Sequence, residues 1–298
     1  VIKIDDLAEA LRSGKVAGAG IDVWAKEPLK PEENPFLGMT NVCLTPHLGA
    51  STIEAQIGVA TDVARGVADA LHGEPVATAV NASPITKSTL AVIQPYFELC
   101  ERMGNIGIYL ADGHISRVTV EYTGELKDTE VAPLTTAVVK GLLTPVLQAT
   151  VNFVNARNIA EERHMEVREV KGSKGAYFTT SITVTIETDK GTHQITGVLF
   201  DRKEAKIVQI DGYLMDFEPK GYLLIAPHAD RPNMIGQIAG VLGRAGININ
   251  GMQVGRTPQE GTNIMAVALD ADLPNDVLLA LRNIEGILDL KVINCEKH

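Results

Sequence analysis

A histidine and a glutamate 20 residues apart carry the clearest chemical possibility in the chain. His47 stands in Thr45-Pro46-His47-Leu48-Gly49-Ala50-Ser51-Thr52, after a short apolar run and before a helix-start signal. Glu27 stands in a loop that leaves the preceding apolar run. Both fall near strand ends, where open α/β sheets place their ligands. A carboxylate held against an imidazole raises its basicity and selects its tautomer, making a proton acceptor and donor near neutral pH. The spacing permits that pairing without requiring it, and an ordinary loop histidine is the other reading of the same residues. A second set brackets a later helix: His228 and Asp230 close one strand, the helix starts near Pro232, and Asn248 opens the next strand. Unpaired N–H groups at a helix start suit the carboxylate of a free amino acid. Asp230 or the Asn248 side-chain oxygen suits its ammonium, and His228 or Asn248 could meet a hydroxyl. The plainer alternative makes His228 a strand-end residue and Asn248 a turn residue.

Composition narrows the classes of function. Lys and Arg number 27 against 37 Asp and Glu, a net charge of -10, which argues against a general nucleic-acid binder. Three cysteines, Cys43, Cys100 and Cys295, are widely spaced with no CxxC pair, so neither a disulfide scaffold nor a metal site is expected. No apolar run is long enough to span a membrane, and the opening residues do not read as a signal peptide. A cytoplasmic protein is the expectation. The chain starts without Met in the middle of a pattern, so it is predicted to be a piece of a longer protein.

The elements that must position these residues fall into three stretches. In residues 1–80, a helix capped by Asp5 or Asp6 and stopped at Gly14 precedes a buried strand in AGAGIDVW. A Pro-rich acidic loop, a second strand in NVCLT and a long helix follow. That helix opens on a capping-box spacing of Ser51 and Glu54 and carries an apolar stripe from Ile53 to Leu71. This is the pattern of one edge of an α/β sheet. Gly73 to Thr89 reads as a linker. Residues 86–217 read as a mixed α+β domain, with a helix bent at Pro95, a strand in ISRVTVEY and a long helical stretch broken at Pro145 and near Asn155. A hairpin turning at Asp189-Lys190-Gly191 and a strand pair turning at Asp211-Gly212 complete it. Residues 221–298 read as βαββαβ, the ferredoxin-like arrangement of a four-stranded antiparallel sheet with two helices on one face. Lys206, Arg202 and Lys203 could form an anion site but fit a solvated hairpin tip better. Asn152, Asn155 and Asn158 are expected to cap breaks in the long helical stretch or to bond its neighbours.

GAGIDVWAKEP followed by NPFLGMTNVCLTPHLGAST resembles the end of the nucleotide-binding domain of the D-isomer-specific 2-hydroxyacid dehydrogenases. That resemblance implies a partial Rossmann-like segment in which His47 moves the substrate hydroxyl proton and Glu27 hydrogen-bonds its ring. It places Asp22 near the nicotinamide and His47, Leu48, Gly49 and Ala50 along an NAD cofactor. PYFELCERMGNIGIYLADG, VEYTGEL and AVVKGLLTPVLQATVNFVNARNIAEER resemble the intervening domain of the family's long, phosphoglycerate-oxidising members, and HADRPNMIGQIAGVLGRAGININGMQVGR resembles their C-terminal amino-acid-binding ACT domain. The resemblance implies 3-phospho-D-glycerate as substrate, L-serine as effector and a homodimer or homotetramer. Effector contacts in serine-inhibited members match His228, Asp230 and Asn248. Asn233 stands where the family usually has glycine, which puts serine sensitivity in question; asparagine tolerates the left-handed backbone such a turn uses.

No GxGxxG occurs in the chain, and the family's carboxylate-binding arginine would precede Val1. The 298 residues alone are therefore expected neither to bind NAD appreciably nor to reduce it. Two other functions remain open: a non-catalytic module for amino-acid binding and assembly, or another 2-hydroxyacid dehydrogenase with the same extension.

Overall fold

The computed structural model describes residues 2–72, 76, 78, 80, 87–172, 178–256 and 261–296. The fold is α/β in its first part and α+β thereafter. Contacts divide the chain into two compact units, 1–68 and 69–298. Most of the linker expected at Gly73 to Thr89 lies outside the described residues.

In the first unit, α1 (Ile4–Arg12) precedes β1 (Ala19–Ile21), and β2 (Val42–Leu44) follows a loop holding a 3-10 turn at Pro31–Glu33. The two strands are parallel, with Ile21 opposite Leu44. Ala8, Leu11, Trp24 and Phe36 form the small core beneath them. Asp5 and Asp6 do not cap α1; Lys3 occupies the cap, and the acids lie inside the first turn, where they complement the helix dipole. Gly14 stops the helix with φ of 74°. The start of α2 (Ile53–Leu71) also differs from expectation. Thr52, not Ser51, supplies the cap, its hydroxyl accepting from the Ala55 amide at 3.1 Å. That choice puts Ala55 at the third helical position and leaves Glu54 outside the reciprocal box. The apolar stripe of α2 is exposed, Ile53 at 73% and Leu71 at 82%.

The second unit opens with α3 (Lys87–Ile93) and α4 (Phe97–Leu110), separated by a 3-10 turn carrying Pro95. Then come β3 (Ile115–Tyr122), α5 (Ala132–Leu143), α6 (Ala156–Glu162), β4 (Glu166–Lys171), β5 (Ile182–Thr188), β6 (Thr192–Phe200), β7 (Glu204–Ile210) and β8 (Tyr213–Phe217). They make a six-stranded sheet in the order β4-β3-β5-β6-β7-β8, with β4 parallel to β3 and the rest antiparallel. The two predicted hairpin turns are present. Asp211 and Gly212 both take positive φ, 48° and 85°, the geometry that matches strand twist in a two-residue turn. Strand β4 was not expected; its sequence EVREVK is mostly exposed, and among the described residues it is paired along one edge only. The long helical stretch ends in a 3-10 turn at Pro145 and resumes only after Asn155. Asn152 Oδ1 accepts from the Val154 and Asn155 amides, and Asn155 Oδ1 accepts from the Asn152 amide, so both asparagines serve the break as expected. Asn158 is exposed instead. The basic trio disperses: Arg202 pairs with Glu125, while Lys206 faces Asp216 and Glu218.

The remaining elements, β9 (Tyr222–Ala229), α7 (Met234–Arg244), β10 (Ile249–Arg256), β11 (Thr262–Leu269), α8 (Asn275–Arg282) and β12 (Lys291–Asn294), form the ferredoxin-like sheet β10-β11-β9-β12. Alternation along β9 sends Leu224 toward α7 and α8 and sends Leu223 and Ile225 into the core around α4. The face without its own helices is therefore covered. Helix α4 is shared: Gly107 lies against Ile186 of the six-stranded sheet, and Asn105 Nδ2 donates to the Asn294 carbonyl of β12 at 3.1 Å. Its approach to α5 is equally close. A methyl at Gly141 would sit 1.9 Å from the Glu101 carbonyl oxygen, and one at Gly104 would sit 2.0 Å from that of Val138.

That crossing makes Gly141→Ala a direct test of the packing. The substitution gains about 1 kcal/mol of helix propensity but forces two backbones apart, so a net loss of roughly 1–3 kcal/mol is expected. Urea denaturation reads it as a lowered midpoint; an unchanged midpoint would contradict backbone contact between α4 and α5.

Candidate active site

The two three-residue strands of the first unit end side by side, and the chain segments leaving them carry every polar group of the site. Thr45 joins them. Its amide donates to the Ile21 carbonyl at 3.0 Å, its hydroxyl to Asp22 Oδ1 at 2.5 Å, and its carbonyl accepts from the Trp24 indole N–H at 3.2 Å. After Pro46, His47 turns into the left-handed region with φ of 62°, a sparsely populated conformation for a residue with a side chain. Asp22 holds that turn. Besides the Thr45 hydroxyl, its carboxylate accepts from the Leu48 amide at 2.7 Å and the Gly49 amide at 2.8 Å.

The turn brings His47 to Glu27. His47 Nδ1 lies 2.9 Å from Glu27 Oε2, and the other carboxylate oxygen of Glu27 accepts from the Trp24 amide at 3.0 Å. With Nδ1–H donating to the carboxylate, Nε2 is the ring nitrogen left to meet a substrate. The imidazole is 55% exposed and Glu27 36%, so the pair faces solvent. The bond to Glu27 raises the pKa of His47, and the same bond, aided by the Trp24 amide, lowers that of Glu27. Asp22 is held below its ordinary value by the Thr45 hydroxyl first and the Leu48 and Gly49 amides next. A hollow beside the pair is lined by Trp24, Glu27, Pro28, Leu29, Asn34, Leu44, Thr45 and Pro46.

The structure thus brings together His47, Glu27, Asp22, Leu48 and Gly49. Ala50 follows in the same exposed turn. Trp24 and Thr45 were missed from the sequence; a lone tryptophan two residues after the aspartate, and a threonine before Pro46, were the available signals. The residues present fit the nicotinamide end of a dinucleotide, since the turn is exposed and Leu48 offers 48% of its apolar surface. They include no glycine-rich cradle for the pyrophosphate.

The second residue set is split. His228 and Asp230 lie at the C-terminal end of β9, but Asn248 precedes β10, whose first residue stands level with Leu269 and, through it, with Tyr222 at the opposite end of β9. Six residues of strand at about 3.3 Å each separate the two ends by roughly 20 Å. His228 is 3% exposed; its Nδ1 lies 2.9 Å from the Ala229 carbonyl, and its buried Nε2 has no partner among the described residues. Asn233 adopts φ of 70° at the start of α7, the left-handed geometry expected of it. Its Oδ1 lies 2.3 Å from where a methyl on Gly236 would be.

Comparison with known proteins finds matches along the chain. Residues 1–49 match the NAD-binding domain of D-isomer-specific 2-hydroxyacid dehydrogenases, residues 92–211 the D-3-phosphoglycerate dehydrogenase intervening domain, and residues 224–286 the ACT domain. The chain is similar to D-3-phosphoglycerate dehydrogenases. That of Methanocaldococcus jannaschii is 41% identical over 288 residues, 97% of this chain and 54% of that protein. The Synechocystis enzyme is 39% identical over 97% of this chain and 52% of its own length, and the Bacillus subtilis enzyme is 35% identical over 97% and 54%. The chain spans about half the length of the curated relatives it matches.

The Asp22 clasp is testable by titration. A depressed carboxyl pKa means that the clasp is complete at neutral pH and is lost as pH falls through that value. The amide resonances of Leu48 and Gly49 should therefore titrate together with a midpoint below that of an ordinary aspartate, and Asp22→Asn should abolish the transition. Independent midpoints for the two amides would contradict it.

Proposed function

We propose that the whole protein oxidises 3-phospho-D-glycerate to 3-phosphonooxypyruvate, with His47 and Glu27 as its proton-transfer pair. The observation that carries this reading is the 2.9 Å bond between His47 Nδ1 and Glu27 Oε2 at the C-terminal ends of two parallel strands. Bound NAD would supply the hydride acceptor. His47 Nε2 takes the hydroxyl proton, and the Glu27 carboxylate stabilises the imidazolium that results. Through the Leu48 and Gly49 amides, Asp22 keeps in place the His47–Ala50 turn that would line bound NAD. The phosphoglycerate-specific assignment rests on the order of the matched domains and on the names of the relatives. Three domains, 1–80, 86–217 and 221–298, are the organisation we infer. We place the protein in the cytoplasm; among the described residues no helix is long and apolar enough to cross a membrane.

In the whole enzyme, His47→Ala should lower turnover by about 10²–10⁴-fold. Oxidation needs neutral His47, so activity rises with pH through its raised pKa; Glu27→Gln removes the main cause of that rise and should move the acidic limb to lower pH. Wild-type turnover in His47→Ala would reject the assignment.

The buried Nε2 of His228, without a partner among the described residues, favours a second role in effector binding. We propose that L-serine is held between two copies of the chain, with His228 and Asp230 of one and Asn248 of the other. A homodimer is the smallest assembly that overcomes the separation within one chain, and two such dimers would give a tetramer. Asp230→Ala should weaken serine binding about 5- to 150-fold, equivalent to roughly 1–3 kcal/mol for an unpaired ammonium. Calorimetric titration decides it, and no saturable binding at millimolar serine would reject the site.

A further inference from the structure

Trp24 is the only tryptophan in the chain and is 9% exposed, in contact with Phe36 at a ring-centroid distance of 6.1 Å. Core packing alone would account for that burial. Two hydrogen bonds go beyond packing. Its backbone amide donates to Glu27 Oε1 at 3.0 Å, which aims the other carboxylate oxygen at His47. Its indole N–H donates to the Thr45 carbonyl at 3.2 Å, two residues before His47. That carbonyl lies one residue past the end of β2, just before Pro46. Trp24 therefore reaches both members of the pair from one anchored ring: the carboxylate through its main chain, and the segment leading to the imidazole through its side chain.

We propose that Trp24 is a positioning residue for the His47–Glu27 pair, acting through its indole N–H on the Thr45 carbonyl. This rests on reading His47 and Glu27 as the proton-transfer pair. A phenylalanine would fill most of the same space and keep the backbone bond to Glu27, but it could not hold Thr45. Loss of that tie lets the Thr45–His47 segment drift from the carboxylate. The bond between imidazole and carboxylate lengthens while the fold of the unit is retained.

The test is the titration of the His47 ring by NMR in the 298-residue chain, comparing wild type, Trp24→Phe and Glu27→Gln. Glu27→Gln tests the pair itself: an unchanged His47 titration there would overturn the pair and leave nothing to position. Given that reference drop, Trp24→Phe should lower the His47 protonation constant by about three-fold. An unchanged His47 titration in a folded Trp24→Phe chain would overturn the proposal and leave the pair intact. Should Trp24→Phe unfold the unit, the wild-type protein decides alone. Its single indole N–H resonance should move with the same midpoint as the His47 ring, and an indole signal indifferent to that titration would overturn the proposal. In the whole enzyme, Trp24→Phe should lower kcat with KM unchanged and shift the acidic limb of the pH profile in the same direction as Glu27→Gln.

Discussion

The geometry of the candidate site depends on Thr45, whose amide, hydroxyl and carbonyl are each bonded to the segment Ile21–Trp24 just past the paired strands β1 and β2. The ladder thereby continues in side-chain form past the point where the strands stop. Asp22 carries it one step further, to the Leu48 and Gly49 amides, and Glu27 one step beyond that, to His47. The left-handed backbone of His47 is tolerable only because the residues on either side are held in this way. A solvent-facing ion pair contributes little to stability by itself. Its geometry is borrowed from the clasp beneath it.

The second unit solves a different problem with the same economy of parts. Two sheets each need an apolar cover, and α4 serves both, with α5 pressed against its glycines. The ferredoxin-like sheet thus has α7 and α8 on one face and α4 on the other. At one sheet edge, Gly255 of β10 lets β8 approach so closely that an added methyl would lie 3.0 Å from the Leu214 carbonyl oxygen. Tyr213 bonds Thr262 nearby, and Lys291 reaches Asp112 at 3.1 Å.

Local signals explain what could be read from the residues. Hairpin turns at Asp189-Lys190-Gly191 and Asp211-Gly212 are short-range chemistry, and the βαββαβ order follows from alternation and spacing. His47 and Glu27 were recognisable as residue types near strand ends, but the bond between them depends on a turn that no periodicity reports. Strand β4 was illegible because its exposed, charged faces leave no apolar alternation, and only pairing with β3 makes it a strand. Thr52 displaced Ser51 as a cap because neighbouring hydroxyls compete and the first residue to leave helical geometry decides. Trp24 was hidden for a related reason. Its importance lies in a bond to a backbone carbonyl 21 residues away, which residue type alone does not announce.

The sharing of α4 has a thermodynamic consequence for the C-terminal sheet. Leu223, Ile225, Ile264, Ala266 and Ile293 are buried together with residues of α4, so freeing the helix would expose one whole face of that sheet to water. Opening of β9 and β12 is then coupled to opening of the helix, and amide exchange across residues 97–110 and 222–294 becomes the signature of one cooperative unit. A perturbation received at the far end of β9 is felt as a change in the free energy of that whole unit. No moving hinge is required for it to register at α4.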